Sequence, residues 1–228
     1  MTTTLITGAN KGLGKETARQ LIAAGHTVWI GARNPGRGRA AAAELGARFV
    51  QLDVTDDASV AAALATIGAD GGLDVLINNA GIAAWALSGP EALEVFDTNA
   101  VGVVRVTEAA LPLLQKSGSP VIVNVSSALG SFGAVTDPAR PAHHVRAIVY
   151  GASKAAVSML TLQYALAYPT IRINAVEPGY TATDLGGGPV LEGAQPVGAG
   201  ARPIVRMALI GKDGPTGTFQ EDAGELGW

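Results

Sequence analysis

The chain has 228 residues, enough for one α/β domain that buries roughly 70–75% of the surface its unfolded form exposes. It has no cysteine, which excludes disulfides, iron–sulfur clusters and thiolate zinc sites and fits a cytoplasmic location. A net charge of -3 without a dense Lys/Arg run argues against nucleic acid as a main partner.

The first residues lack the positive region and long apolar run of an export signal. The uncharged stretch from 117 to 136 is broken by Asn124, Ser126, Ser127, Gly130 and Gly133, so no membrane helix is expected there. Short β-branched runs alternate with alanine-rich stretches of helical length, the pattern of a parallel sheet with helices on both faces. Seven strands are expected, at 3–7, 27–31, 48–52, 74–78, 120–126, 171–176 and 218–220. Helices are expected at 12–24, 36–45, 56–67, 90–116, 148–167 and 200–209. Two segments read as loops, 130–147 and 185–201; the second, rich in Gly and Pro, suits a flexible lid over the site.

The first strand runs into Thr7-Gly8-Ala9-Asn10-Lys11-Gly12-Leu13-Gly14, which opens the first helix. Glycines there let the backbone pass close to a pyrophosphate at a helix N-terminus. The second strand ends in Ala32-Arg33, with no acid to bond a ribose 2′-hydroxyl, which points to NADP. Arg33 offers a fork for a 2′-phosphate and Lys11 a second positive charge, while Arg37 and Arg39 either help or are simply exposed. Asp53, after the third strand, is placed either to accept from an adenine amino group or to cap the next helix.

Asn78-Asn79-Ala80-Gly81 ends the fourth strand, where a small backbone can lie against the cofactor ribose or make an ordinary turn. Asn99 is an unfavourable residue for the middle of the long helix, and a buried water chain is one reason to keep it. Ser126-Ser127 ends the fifth strand, where a hydroxyl could bond a carbonyl oxygen gaining negative charge or cap a helix. Tyr150 and Lys154 lie four residues apart, on one face of a helix, where an ammonium lowers a phenol pKa by roughly 1–3 units. Pro178-Gly179-Tyr180-Thr181-Ala182-Thr183 follows the sixth strand and can anchor a carboxamide and a phosphate. His26, His143 and His144 are not spaced as metal ligands and read as surface residues, so no metal is expected.

Together, Gly8, Gly12, Gly14, the Asn78 to Gly81 run, Asn99, Ser127, Tyr150, Lys154 and Pro178-Gly179 resemble the short-chain dehydrogenase/reductase family over nearly the whole chain. The resemblance implies a single Rossmann domain spanning residues 1–228 and an NADPH-dependent carbonyl reductase. In that role Tyr150 protonates the carbonyl oxygen, Ser127 fixes it, Lys154 holds the ribose and lowers the tyrosine pKa, and Asn99 holds a water. It also implies cofactor contacts at Gly8, Asn10, Lys11, Gly12, Leu13, Gly14, Arg33, Asp53, Val54, Asn79, Ala80, Gly81, Tyr150, Lys154, Pro178, Gly179, Thr181 and Thr183. Ser127 and Tyr150 stand 23 residues apart, longer than usual and similar to carbonyl-reductase-like members. That insertion borders the substrate pocket, walled also by Trp85, Leu129 and Tyr180, and alters helix surfaces through which relatives associate. Expected partners are a small carbonyl or alcohol substrate and, where those surfaces persist, a second copy in a homo-oligomer. The alternative is a non-catalytic NADP(H)-sensing regulator on the same fold. A nucleotide-sugar epimerase would need a larger substrate domain than the residues after Pro178 provide.

Overall fold

A computed structural model describes residues 2–84, 87–185 and 192–228. Its sheet has eight strands in the order β3-β2-β1-β4-β5-β6-β7-β8. They are β1 Thr3–Thr7, β2 Thr27–Ala32, β3 Arg48–Gln51, β4 Val75–Asn78, β5 Val121–Val125, β6 Arg172–Val176, β7 Phe219–Glu221 and β8 Gly224–Leu226. The first seven are parallel along the sheet, and β8 returns antiparallel to β7. Seven parallel strands were expected. The eighth arises because Asp222-Ala223 closes a two-residue hairpin that Gly224, at φ 134°, can follow at little cost.

Side-chain alternation along the strands sorts the core into two layers. Leu5, Trp29, Leu76, Ile122 and Ile173 face α3 (Asp57–Ala69), α5 (Gly102–Leu114) and α7 (Ile148–Ala167). Their neighbours Ile6, Val28, Ile30, Ile77, Val123 and Val176 face α1 (Gly12–Ala23), α2 (Pro35–Leu45) and α8 (Val197–Ala208). The central strands are thus covered from both sides, as their β-branched runs require, while the edge strands keep exposed residues at Arg48, Gln51 and Glu225. The order reverses between β1 and β4, and the crevice beyond their carboxyl ends is where such sheets take ligands.

Three expected elements are redrawn. The long helix is α4 (Gly89–Phe96), a wider π-turn segment Asp97–Val101, then α5. The 130–147 segment is largely ordered into α6 (Phe132–Thr136) and 3₁₀ turns at Ala128–Gly130 and Pro141–His144. α8 starts at Val197 rather than 200, taking the end of the expected 185–201 loop; residues 186–191 of that loop, and Trp85, lie outside the described residues.

The C-terminal hairpin braces the 130–147 segment. Phe219, Leu226, Ala134, Ala142 and Ala175 form a third apolar cluster, with the Trp228 ring 5.5 Å from that of Phe219. Ser131 Oγ donates to Gly227 O at 2.6 Å, and Gly133 N to Trp228 O at 3.0 Å. Phe219 is completely buried at this junction. Phe219→Ala should therefore lower the unfolding free energy in urea titrations by about 3–5 kcal/mol.

Candidate active site

At the switch point the β1 and β4 turns are stitched together. Thr7 Oγ1 accepts from Asn79 N at 3.0 Å and Ala80 N at 2.9 Å, and Asn79 Nδ2 donates to Thr7 O at 2.8 Å. Gly8 takes φ 65°, and a Cβ on it would lie 2.9 Å from the Ala80 Cα, so the two turns touch backbone to backbone. This brings Gly8, Gly14, Asn79, Ala80 and Gly81 to one place. Gly81 faces Asn99 Oδ1 and Lys154 Nζ across this junction.

The residues present fit a dinucleotide phosphate. α2, α3 and α4 are capped by the side chains of Asn34, Asp56 and Ser88, but α1 begins at Gly12 behind Lys11 with no side-chain cap and no acid in its first turn. Its leading N–H groups and the positive end of its dipole are left for an anion. Asn10 lies half-buried in the turn, and Leu13 packs into the layer beneath.

Around the expected 2′-phosphate position the picture is mixed. Arg33 is exposed just beyond β2, and among the described residues its guanidinium has no ion-pair partner. Lys11 is instead paired with Asp184, which that hydrogen bond holds well below the usual carboxylate range, with Arg37 adding to the effect. Both partners are exposed, and such a pair is weak enough to be exchanged for a more highly charged anion. Asp53 caps nothing: its Oδ1 accepts from Thr55 N and Oγ1, and Asp56 is the cap of α3. Val54 is buried against Gly102, with its carbonyl accepting from Arg105 at 3.2 Å.

Asn99 sits in the π segment, 1% exposed. Its Oδ1 accepts from Ile82 N at 2.8 Å, and its Nδ2 donates to Ile82 O at 2.9 Å and to Ser153 Oγ at 3.0 Å. The side chain thus clamps the segment after β4 onto α7, with both amide hydrogens taken and one of the two lone pairs of Oδ1 in use. A second buried amide pair does similar work: Asn78 Nδ2 donates to Asn124 Oδ1 at 2.8 Å and Asn124 Nδ2 to Thr161 Oγ1 at 2.9 Å, tying β4 and β5 to α7. Asn124, Ser153 and Thr161 were not foreseen. Asn124 was visible as a polar interruption in a strand otherwise fully apolar.

Tyr150 and Lys154 do face one another, with Nζ 5.6 Å from the phenol ring centroid. Lys154 is 5% exposed and donates to Val125 O at 2.8 Å. Ser126 and Ser127 part company, as neighbours at a strand end must. Ser126 is buried, bonding Lys154 O and Ser158 Oγ, each at 3.0 Å, whereas Ser127 lies half-exposed toward the cleft and hydrogen-bonds the Tyr150 side chain. Gly130 and Gly151 permit this approach: a Cβ on Gly130 would collide with the Lys154 backbone, and one on Gly151 would lie 3.0 Å from Leu129 O.

The proton balance differs from the expected one. Burial pushes the Tyr150 phenol above its ordinary value, the Glu177 carboxylate pushes it further, and only the Ser127 hydrogen bond lowers it. Burial pushes the Lys154 amine down to about 8, against the pull of Glu177. The ammonium donates to the Val125 carbonyl at 2.8 Å, with the phenol ring centroid 5.6 Å away. Glu177 itself was not foreseen, although its place between a β-branched strand and Pro178-Gly179 put it at the same sheet edge as the other candidates.

Beyond β6, Gly179 takes φ 77° and Gln195 Nε2 donates to Pro178 O at 2.5 Å. Thr181 Oγ1 donates to Gly179 O at 2.9 Å, and Thr183, whose methyl group side approaches Gly12, receives Leu185 N at 3.4 Å. The segment that follows the Pro-Gly turn therefore reaches the glycine turn at Thr183. Leu129 lies in the 3₁₀ turn and packs against the third apolar cluster, and Tyr180, in the segment after β6, is exposed. Of the histidines only His144 is exposed; His26 and His143 are half-buried, His26 bonding Thr4 Oγ1 at 2.8 Å and His143 Val135 O at 3.0 Å.

Among the described residues no helix is long and apolar enough to cross a membrane. Residues 2–188 match the family model for short chain dehydrogenase. The chain is 31% identical to (+)-neomenthol dehydrogenase of Capsicum annuum, covering 94% of each chain. That alignment runs over 297 positions, more than this chain contains, so the relative carries segments with no counterpart here. Among solved structures, NADPH-bound carbonyl reductase from chicken fatty liver matches with TM-score 0.85 at 29% identity, covering 99% of this chain and 98% of that one. Salutaridine reductase from Papaver somniferum matches with TM-score 0.83 at 28% identity, covering 97% and 100%. The chain therefore belongs to the short-chain dehydrogenase/reductase family, oxidoreductases acting on alcohol and carbonyl groups.

Proposed function

We propose that this protein is an NADPH-dependent carbonyl reductase that reduces a ketone or aldehyde to an alcohol, with Tyr150 as the proton donor and Asn99, Ser127 and Lys154 as its supporting set. The observation that carries this reading is the meeting of Ser127, Tyr150 and Lys154 at one end of α7, beside the β1 and β4 turns. NADPH, when bound, would supply the hydride to the carbonyl carbon. The glycine turn and the uncapped start of α1 bind its phosphates, Arg33 and Lys11 select the 2′-phosphate, and Pro178, Gly179, Thr181 and Thr183 fix its other end. Ser127 holds the substrate oxygen, and Tyr150 hands that oxygen the proton that completes the alcohol.

Support from relatives is consistent with NADPH: the chicken carbonyl reductase was solved with NADPH bound. The deciding experiment is a panel of ketones, aldehydes and quinones followed by loss of NADPH absorbance, repeated with NADH. Tight NADPH binding with no turnover on any member would overturn the enzymatic reading in favour of a sensor.

Three outcomes are expected of variants. Tyr150→Phe should lower kcat by about 100- to 10,000-fold while leaving the NADPH Kd, measured by fluorescence titration, within error of the parent. Arg33→Ala should weaken NADPH by roughly 10-fold or more and leave NADH nearly unchanged in the same titration. Lys154→Met tests the buried amine through stability. Lys154 titrates at about 8 folded against 10.5 unfolded, so between those values the unfolded chain holds more protons and parental stability rises with pH. The variant lacks this gain, so its stability relative to the parent should fall by about 2 kcal/mol from about pH 7 to about pH 9.5, read from urea unfolding.

A further inference from the structure

Glu177 stands between the end of β6 and the Pro178-Gly179 turn, and its backbone N–H donates to Gln220 O at 2.8 Å. Both carboxylate oxygens are taken by backbone donors: Oε1 accepts from Gly179 N at 2.7 Å and Oε2 from Ala128 N. Ala128 follows Ser127 directly, and Gly179 belongs to the turn whose continuation, at Thr183, touches Gly12. β5 and β6 already pair up to Val125 and Val176, with Ser126 N donating to Val176 O at 2.9 Å, and the Glu177 side chain carries that tie past the strand ends, from the substrate-side turn to the cofactor-side turn.

We propose that Glu177 is a positioning residue that holds the Ser127 turn and the Pro178-Gly179 turn in register, and whose negative charge moves alcohol oxidation to higher pH. The inference rests on Tyr150 being the proton donor. The charged and titratable groups acting on Glu177 are Lys154 and Tyr150 from α7 and Glu221 from β7, the last paired with Arg140 at 2.5 Å. Burial pushes the Glu177 carboxyl up, the N–H groups of Ala128 and Gly179 pull it back, Glu221 opposes them and Lys154 assists. As a carboxylate it favours the ammonium form of Lys154 and disfavours a phenolate at Tyr150. Reduction starts from the neutral phenol and ends with its proton on the alcohol; oxidation must start from the phenolate. A fixed negative charge beside the phenol thus raises the pH that oxidation needs to start and, by microscopic reversibility, also opposes release of the phenol proton during reduction.

Glu177→Gln removes the charge and keeps the size, but its amide can accept from only one of the two N–H groups. With NADP⁺ and an alcohol, the pH at which oxidation reaches half its plateau should move down by about one unit, because that limb reports the phenol. With NADPH and a carbonyl substrate, kcat should fall more than KM rises. In the cofactor-free protein, ultraviolet titration of tyrosinate should show one phenol ionising at lower pH than in the parent, a change absent from the Glu177→Gln/Tyr150→Phe double variant. Glu177→Asp keeps the charge and shortens the reach, so it should retain the parental pH limb with a reduced kcat.

An unchanged oxidation limb together with an unchanged phenol titration in Glu177→Gln would overturn the proposal. So would an acidward shift in Glu177→Asp as large as that in Glu177→Gln, which also serves should the glutamine variant not fold. Failure of the parent to turn over any carbonyl would sink the carbonyl-reductase reading instead; the phenol titration needs no turnover and still decides the role of Glu177.

Discussion

Lys154 carries its amine into a place where 5% of the residue meets solvent, and what meets it there is a single backbone carbonyl, Val125 O. Burying an ammonium is costly, and the drop of its pKa to about 8 is that cost expressed as a proton affinity. Much of the surrounding structure holds this amine where it is. α7 is fastened to the sheet by Ser126 on the Lys154 carbonyl, by Asn124 on Thr161 and by Asn99 on Ser153. Gly130 then lets the Ser127 turn close directly against the helix backbone. A site that needs a charged amine beside a neutral phenol is assembled from neutral hydrogen bonds, which stay in place as the charges change.

The fold was legible because α/β periodicity survives burial. Strands covered on both faces read as continuous β-branched runs, and seven of the eight were placed within a residue or two; the last hairpin strand was lost because three residues carry no period. The interruption of the long helix was only half visible. Asn99 flagged a fault in a helical stretch, but whether the backbone answers with a kink, a wider turn or a buried hydrogen bond depends on what stands opposite, here Ile82 and Ser153.

Site residues divide along the same line. Glycine turns, the Tyr-Lys pair and the Ser-Ser strand end are local patterns, and they do converge at one sheet edge. What local patterns cannot carry is electrostatics between distant segments. The pairing of Lys11 with Asp184 joins residues 173 apart, and the bond from Ala128 to Glu177 joins residues 49 apart. Both alter the charge seen by groups that the sequence alone singles out. The direction of the Tyr150 shift, upward rather than downward, is the clearest case, because it is set by burial and by Glu177 rather than by the cation four residues on.

The π segment Asp97–Val101 amounts to one residue more than α4 and α5 need to run as a continuous helix. Excising any one of those five positions would look harmless, even favourable, to a tally of helix propensity. It would let α4 and α5 run on as one regular helix with their faces unmoved, Val95 still buried and Leu93 still exposed, because the wide turn already absorbs the extra residue. What the chain would forfeit is the wide turn itself, which sets an amide at the seam against Ile82 and Ser153.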